Sequence, residues 1–463
     1  MSYRRGLLGN ARRCHVPDWF CRLNPWVCFA KAAACGALGR PSEAWRYYRS
    51  LTFFYPYKFL RARLAKSWGI AQSDLVKRLL KGDAVNAHLL HALLLVIGER
   101  VPSLAYASAS CSAVELRELE VLHANRCAPV PEDRAQTVND LLRLLGGGEV
   151  AYSPGSAFKV RYKSSQGMDG WNRGRARDAL PLVSVVVTAY NCAAFVRPSI
   201  QSLLDQTHPN IQILVANDAS TDTTWSELAL LAAEDSRVRV FNLPENIGTY
   251  GAKSLLLKFA AGEFVVCHDI DDLADPRFIE RSLSELQSNK RLVAVMSGWF
   301  RVDEELRIFP GAVRRFWPLL SMNHSSLFLR TTLLRQLGGW DVPRVAADTE
   351  LFERLRSLYG SKAVGQINAA LTIGSMRSDS LMNHTEMGAI QANAFRTRVA
   401  YREAFIRWHD DCKRRGVTPV MPSAFSAIRP YAVPRKLRVS HQAIARCYES
   451  MLAASPVKPL ERV

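Results

Sequence analysis

The sequence predicts an α/β fold, a mostly parallel sheet flanked by helices, set between a helical N-terminal domain and a helical C-terminal extension. Three observations carry that expectation. Continuous β-branched runs such as "LVSVVVTAY" (182–190) suit strands buried on both faces. Helical patterns separate these runs at the spacing of βαβ units. Aspartates stand where the runs end, on the rim of a parallel sheet, where ligands bind.

At 463 residues the chain exceeds one ordinary core, so the prior is about two or three domains. Residues 1–145 read as a helical domain for docking or oligomerisation. Its helices are "SEAWRYYRSLTFFYPYKFLRARLAKSW" (42–68), "DAVNAHLLHALLLVIGERV" (83–101) and "AQTVNDLLRLLGGG" (135–148). Ser42 is placed to cap the first, and three glycines stop the last. Residues 146–180, rich in Gly, Ser and basic side chains, read as a linker or a loop over a neighbouring site.

Residues 181–385 form the regular module. Strands are expected at 182–190, 211–218, 238–243 and 263–269, with helices at 192–206, 221–235 and 250–261 between them. The alternation then loosens: a helix at 277–288, strands near 292–300 and 325–330, and helices near 331–337 and 347–358. Residues 386–463 read as a basic helical extension broken by Pro419, Pro422, Pro430 and Pro434, a cover or anchor for the module.

The net charge of +19 is uneven: residues 1–177 carry +14, residues 178–390 carry −4 and residues 391–463 carry +9. Basic arms suit an anionic partner such as a phospholipid surface, or simply a solvated surface. They carry no nucleic-acid fold signature, which sets nucleic acid aside. No apolar run reaches the roughly 18 residues of a membrane span. "MSYRRGLLGNARR" is not followed by a clean apolar region, as a secretory leader would be. The expectation is a cytoplasmic protein, with peripheral contact at the inner face of an anionic plasma membrane left open. Ten cysteines contain no CxxC pair. Cys14, Cys21, Cys28 and Cys35 recur every seven residues, but Pro17 and Pro25 interrupt any shared helical face, and buried thiols are the reading.

The stretch "CHDIDDLADP" (267–276) concentrates the chemistry. Like charges so close need compensation. Asp269 and Asp271, two apart in an extended segment, point the same way and can share one cation. Hard oxygen ligands with open positions suit Mg²⁺ or Mn²⁺. Asp272 and Asp275 fit equally well as caps of helix 277–288.

Six stretches in order resemble glycosyltransferase family 2, with its GT-A (Rossmann-like) fold: "VSVVVTAYN" (183–191), "ILVANDASTD" (213–222), "NIGTYGAK" (246–253), "GEFVVCHDIDD" (262–272), "LGGWD" (337–341) and "ADTELFERL" (347–355). They cover about residues 180–385. The resemblance implies an inverting, divalent-metal-dependent transfer of a sugar from a UDP-sugar, or another nucleotide-sugar, to a saccharide or lipid-linked acceptor in cell-surface polysaccharide synthesis. It implies that Thr188, Ala189, Tyr190, Asp218, Gly248, Tyr250, Lys253 and Asp269 bind the donor. Asp269 and Asp271, with His384, would hold the metal, and Asp348 would be the catalytic base. Where the family commonly has Glu-Asp, this chain has Ala347-Asp348 followed by Glu350, so Glu350 stands as an acceptor contact or an alternative base. The rival readings are an inactive scaffold on the same fold, and a nucleotidyltransferase, which "TAYNCAAFVRPS" disfavours because it has no glycine for a triphosphate.

Overall fold

The computed structural model describes residues 120–121, 131–163, 179–309, 320–376 and 392–454. The expected helices 42–68 and 83–101, the four N-terminal cysteines and His384 lie outside the described residues. The chain divides into two compact units, Met1–Thr137 with Ile308–Ser321, and Val138–Arg307 with Met322–Val463. All that follows concerns the second unit, apart from the first turns of α1 (Pro131–Leu144).

After α1 come two short antiparallel strands, β1 (Val150–Tyr152) and β2 (Val160–Tyr162). Regular alternation then begins with β3 (Val183–Ala189), α2 (Ala193–Leu204), β4 (Ile211–Asn217), α3 (Thr224–Glu234), β5 (Val238–Asn242), α4 (Gly248–Leu256) and β6 (Phe264–Asp269). Next are β7 (Asp272–Ala274), α5 (Phe278–Ser288), β8 (Ala294–Val302), β9 (Phe328–Arg330), α6 (Thr331–Gln336), α7 (Ala347–Tyr359) and β10 (Val364–Ser375). Two helices close the described chain, α8 (Ala392–Arg414) and α9 (His441–Ala453).

The main sheet runs β5-β4-β3-β6-β9-β8-β10-β7. The strands β5, β4, β3 and β6 are parallel. β9 is antiparallel to β6 and β8, β10 runs parallel to β8, and β7 is antiparallel to β10. Helices cover both faces. Val183, Val185 and Val187 pack into a core with α2, α3 and α5, while Val186 packs into the opposite core with α4, α7 and α9. That split follows from the two-residue period of a strand, and explains why no polar residue interrupts the middle of β3. Ser184 is buried but satisfied, its hydroxyl donating to Gln212 at 2.8 Å.

Contacts cross two of the expected boundaries. Residues 146–163, read as the start of a linker or of a loop over a neighbouring site, are fastened to the module: Arg277 and Arg281 donate to the Gly146 carbonyl, and the Gly148 N–H donates to Asp275. Residue 385 marks no division either. Ala443, Ile444, Cys447 and Met451 of α9 share the core of Val186 and Leu214, and Tyr401 and Phe405 of α8 pack with Val345, Val433 and Leu437. Gly338 shows why. At φ +79° it occupies the left-handed region, and a Cβ there would meet the Met421 carbonyl oxygen at 1.9 Å. The glycine lets the C-terminal segment lie against α6, with Met421 N–H donating to Leu337 at 2.9 Å.

Cys192, Cys267, Cys412 and Cys447 are buried thiols. Among the described residues no helix is long and apolar enough to cross a membrane.

Candidate active site

Sheet register assembles the site. Thr188 is paired with Asp269 across β3 and β6, and Ala189 with Asn217 across β3 and β4. The carboxyl ends of three parallel strands therefore reach one rim, and the following turns lock together there. Asn191 Oδ1 accepts the Thr221 N–H at 2.8 Å, and Ser220 Oγ accepts the Asn191 N–H at 3.0 Å. Thr188 Oγ1 lies 2.5 Å from Thr249 Oγ1, tying β3 to the first turn of α4.

Lys253 on α4 is almost wholly buried and pairs with Asp269 at 2.8 Å. Burial disfavours the ammonium, but the Asp269 carboxylate outweighs it and holds Lys253 above the usual lysine range. Burial likewise opposes the Asp269 charge. Lys253, a hydrogen bond from the Ser325 hydroxyl and His268 overcome that and hold Asp269 below the usual carboxylate range. Tyr250, one turn earlier, places its ring 5.4 Å from Lys253 Nζ. Its phenol is pushed well above its usual pKa by burial and by the charges of Asp348 and Asp269, and it hydrogen-bonds Asp348. Asp348 thus comes to the same place as Asp269, although 79 residues separate them in the chain. Its own backbone is turned sharply: Ala346, just before α7, is left-handed at φ +70°, and Thr349 N–H donates to Asp348 Oδ1 at 2.7 Å.

The aspartate-rich turn is sorted by burial. Asp271 stands at the rim, half-buried, its carbonyl accepting the Ser375 N–H at 3.1 Å. Asp272 is buried; burial, then Asp271 and Asp269, push its carboxyl well above the usual range. His268 braces the turn, its Nε2 donating to the Asp272 carbonyl at 3.0 Å, and burial drops its pKa to about 4. Asp275 shapes the turn before α5 without capping the helix: it accepts the Arg277 N–H at 2.8 Å, and Arg277 is itself the N-cap residue. Among the described residues no three His, Cys, Asp or Glu side chains form a closed metal cluster. The donor set nevertheless fits a hard divalent ion. Three carboxyl groups crowd one turn with Lys253 paired to Asp269 alone, and an ion held by Asp271 with Asp269 would fill its shell from water and a ligand's phosphates.

The opposite end of the rim belongs to Asp218. It is buried, and its Oδ1 accepts the Ile247 N–H at 2.8 Å. Burial raises its pKa to about 6 against the Ile247 and Gly248 N–H groups and Arg344. Arg344 donates to Asn246 Oδ1 at 3.0 Å, and Asn246 donates to the Asp218 carbonyl at 3.1 Å. Gly248, with φ +74°, opens α4 beside Arg344. Ala189 is buried and accepts the Asp218 N–H at 2.8 Å, while Tyr190 is exposed at the rim.

Comparison with known proteins decides the family. The profile of "Glycosyl transferase family 2" matches residues 184–345, ending three residues before Asp348. Residues 184–345 are therefore assigned to glycosyl transferase family 2. An uncharacterized glycosyltransferase of Haemophilus influenzae is 36% identical over 117 residues, 25% of this chain and 36% of that protein. Chondroitin synthase of Pasteurella multocida is 34% identical over 116 residues, 25% of this chain and 12% of that protein. The UDP-Glc:alpha-D-GlcNAc-diphosphoundecaprenol beta-1,3-glucosyltransferase WfaP of Escherichia coli is 36% identical over 93 residues, 20% of this chain and 36% of that protein. These matches span little more than a third of each relative at most.

Within this family 2 module, the structure does not bring Glu350 to the site. Glu350 is wholly buried beneath α7, 2.9 Å from His409 Nε2 and 3.2 Å from Arg354. Arg354 also donates to the Leu337 and Gly339 carbonyls at 2.5 and 2.6 Å. Asp341 of "LGGWD" is likewise structural, gathering Tyr401, Tyr431 and Arg429 from the C-terminal segment. Sequence reasoning missed Arg398. On α8, its guanidinium is within electrostatic reach of Asp348, Tyr250 and Arg301; burial pulls its pKa down. Nothing in a basic amphipathic helix distinguishes such an arginine from solvated neighbours. The one available signal was that residues 398, 402, 405 and 409 share a helical face.

Proposed function

We propose that this chain is an inverting glycosyltransferase that moves a sugar from a UDP-sugar to a hydroxyl of a saccharide or lipid-linked acceptor in polysaccharide synthesis. The observation that carries the reading is the convergence of Asp348, Tyr250, Lys253 and Asp269 on the rim where a family 2 donor belongs. Asp348 takes the proton from the acceptor hydroxyl. The oxygen then attacks the anomeric carbon as its bond to the diphosphate breaks, and the configuration inverts. The Tyr250 phenol donates to Asp348 and fixes the lone pair that receives the proton. Lys253, held in place by Asp269, supplies positive charge beside the departing diphosphate, where fixed charge lowers the barrier most. Asp218 accepts from the nucleotide base, with Thr188, Ala189, Tyr190 and Gly248 around it. A Mg²⁺ or Mn²⁺ ion held by Asp271 and Asp269 would neutralise the diphosphate.

WfaP carries a UDP-sugar donor and a diphosphoundecaprenol acceptor in its name, which supports the donor and acceptor classes. The basic stretch 1–81 is read as a contact for anionic membrane, and equal sedimentation with neutral and anionic vesicles at low salt would remove that part. The main test is UDP release by the full chain across a panel of UDP-sugars with Mn²⁺, with and without EDTA. Turnover that Asp348→Asn abolishes supports the reading. No turnover with any donor would favour a scaffold that has kept the fold and lost the chemistry.

A further inference from the structure

Thr349 carries one hydroxyl proton and has two neighbours for it. Its Oγ1 lies 3.4 Å from Asp348 Oδ1 and 3.1 Å from His324 Nδ1. Asp348 Oδ1 already accepts the Thr349 N–H at 2.7 Å, and a carboxylate can only accept. An imidazole nitrogen donates when it bears a proton and accepts when it is bare. A proton on His324 Nδ1 therefore satisfies all three groups: His324 donates to Oγ1, Oγ1 donates to Oδ1, and Oδ1 accepts twice from one residue. With Nδ1 bare, the hydroxyl turns to the ring and Asp348 loses its second contact.

His324 is held from two elements. Its ring stacks on Phe352, with centroids 4.7 Å apart and planes at 23°. Phe352 is buried and stands four residues beyond Asp348, so the two share one face of α7. His324 also opens a single 3₁₀ turn, His324–Ser326, that β8 grips twice. The Asn323 N–H donates to the Ser297 carbonyl at 2.9 Å, and the Ser297 N–H donates to Ser326 Oγ at 2.9 Å. Asn323 Oδ1 accepts the Ser325 N–H at 3.0 Å and closes the turn. Asn323 and Ser326 are buried, and a buried polar network with its bonds made is rigid.

We propose that His324 is a positioning residue for the base: with its proton on Nδ1 it fixes the Thr349 hydroxyl as a donor to Asp348 Oδ1, and so fixes the orientation of the carboxylate. The inference rests on the reading of Asp348 as the base. A carboxylate that turns offers the acceptor hydroxyl a changing lone pair, whereas one pinned at Oδ1 offers the same one each time. Misplacing a reacting group by about 1 Å costs about 10²-fold in rate.

The proton is located on the full chain labelled with ¹⁵N-histidine, by two-bond ¹H–¹⁵N correlation at about pH 8.5, with the His324 signals assigned by their loss in His324→Asn. Nδ1 is expected to carry its proton. A bare Nδ1 overturns the proposal, and that reading needs no substrate. Kinetics then separate the hydrogen bond from the packing. His324→Phe keeps a ring on Phe352 and removes the donor, so kcat for UDP release should fall about 10–10²-fold with UDP affinity unchanged. His324→Asn, whose amide stands where Nδ1 does, should recover most of that loss. Thr349→Val should fall as far as His324→Phe, and the two together no further, because they act through one hydroxyl. Equal losses for His324→Asn and His324→Phe, or additive losses in the double variant, overturn the proposal. So does a UDP affinity that falls as far as kcat, which would make His324 a support of the donor rim. No turnover on any donor with a protonated Nδ1 would sink the transferase reading alone, whereas turnover with a bare Nδ1 would sink this one alone.

Discussion

Two carboxylates two residues apart, Asp348 and Glu350, make opposite expectations that one pair of variants can separate. Glu350 is wholly buried, and so is Arg354, 3.2 Å away. Glu350→Gln keeps the shape and a contact for His409 but leaves the Arg354 charge without its carboxylate. Removing one partner of a buried ion pair costs about 3–5 kcal/mol. For a unit this large each kcal/mol lowers the melting temperature by about 2 °C, so a fall of about 6–10 °C is expected. Asp348 is half-buried at the rim and is in contact with Thr349 and Tyr250. Asp348→Asn keeps a carbonyl oxygen to accept from Thr349 and Tyr250, so it should melt within about 1 °C of the unaltered chain, a change of about 0.5 kcal/mol or less. It should lose about 10²–10⁴-fold in kcat, the usual contribution of a positioned base. Differential scanning fluorimetry and initial rates of UDP release read the two effects. The assignment fails if Glu350→Gln melts normally yet loses as much kcat as Asp348→Asn.

Other expectations follow from the same geometry. On the proposed reading an ionised Asp218 accepts from the base, and burial raises its pKa to about 6, so UDP affinity should weaken as pH falls through 6. Asp218→Asn should flatten that dependence in calorimetric titrations between pH 5 and 8. Lys253→Met removes the partner of Asp269 and should cut kcat by about 10²-fold or more, while a normal melt would show that the loss is electrostatic. Gly374→Ala forces a Cβ into the Trp299 ring. A cost of about 1–3 kcal/mol is expected from such overpacking, with a changed tryptophan emission spectrum as the direct sign of ring displacement. Gly338→Ala meets a backbone oxygen rather than a movable side chain, so limited proteolysis should cut the segment around Met421 in this variant and spare it in the unaltered chain.

The parallel half of the sheet was legible because β3, β4 and β6 are written in β-branched residues, with aspartates at the ends of β4 and β6. β10 was not. Its twelve residues, Val364–Ser375, include Gly365, Gln366, Asn368 and Gly374, and its register slips against β8 between Ile367 and Ala370. No alternation survives that irregularity, yet this strand pairs with the turn carrying Asp271 and Asp272 and helps to aim it. The fastening of residues 146–163 was hidden for a related reason. A composition of Gly, Ser and Arg describes a flexible chain well, but the arginines that fasten Gly146 come from the residue before α5 and from α5 itself, 131 and 135 residues away. Glu350 and Arg354, four apart on a helix, look like a solvated surface pair; only the cover provided by His409 and Tyr401 turns them into core. The donor-side residues were read from the family resemblance, with Asp218 and Asp269 also marked by their strand-end positions. Arg398 depends on which helix covers which strand, information that local pattern does not hold.

The place of α9 in the core has a consequence for biosynthesis. The β-strands that emerge early expose an apolar surface around Val186 and Leu214, and Met451 is among the side chains that finally cover it. A ribosome adding about 5–20 residues per second needs on the order of 10–50 s to pass from β4 to that methionine. Throughout that interval the nascent chain shows an unfinished face, so dependence on a chaperone during translation should be steeper than the stability of the finished protein would suggest.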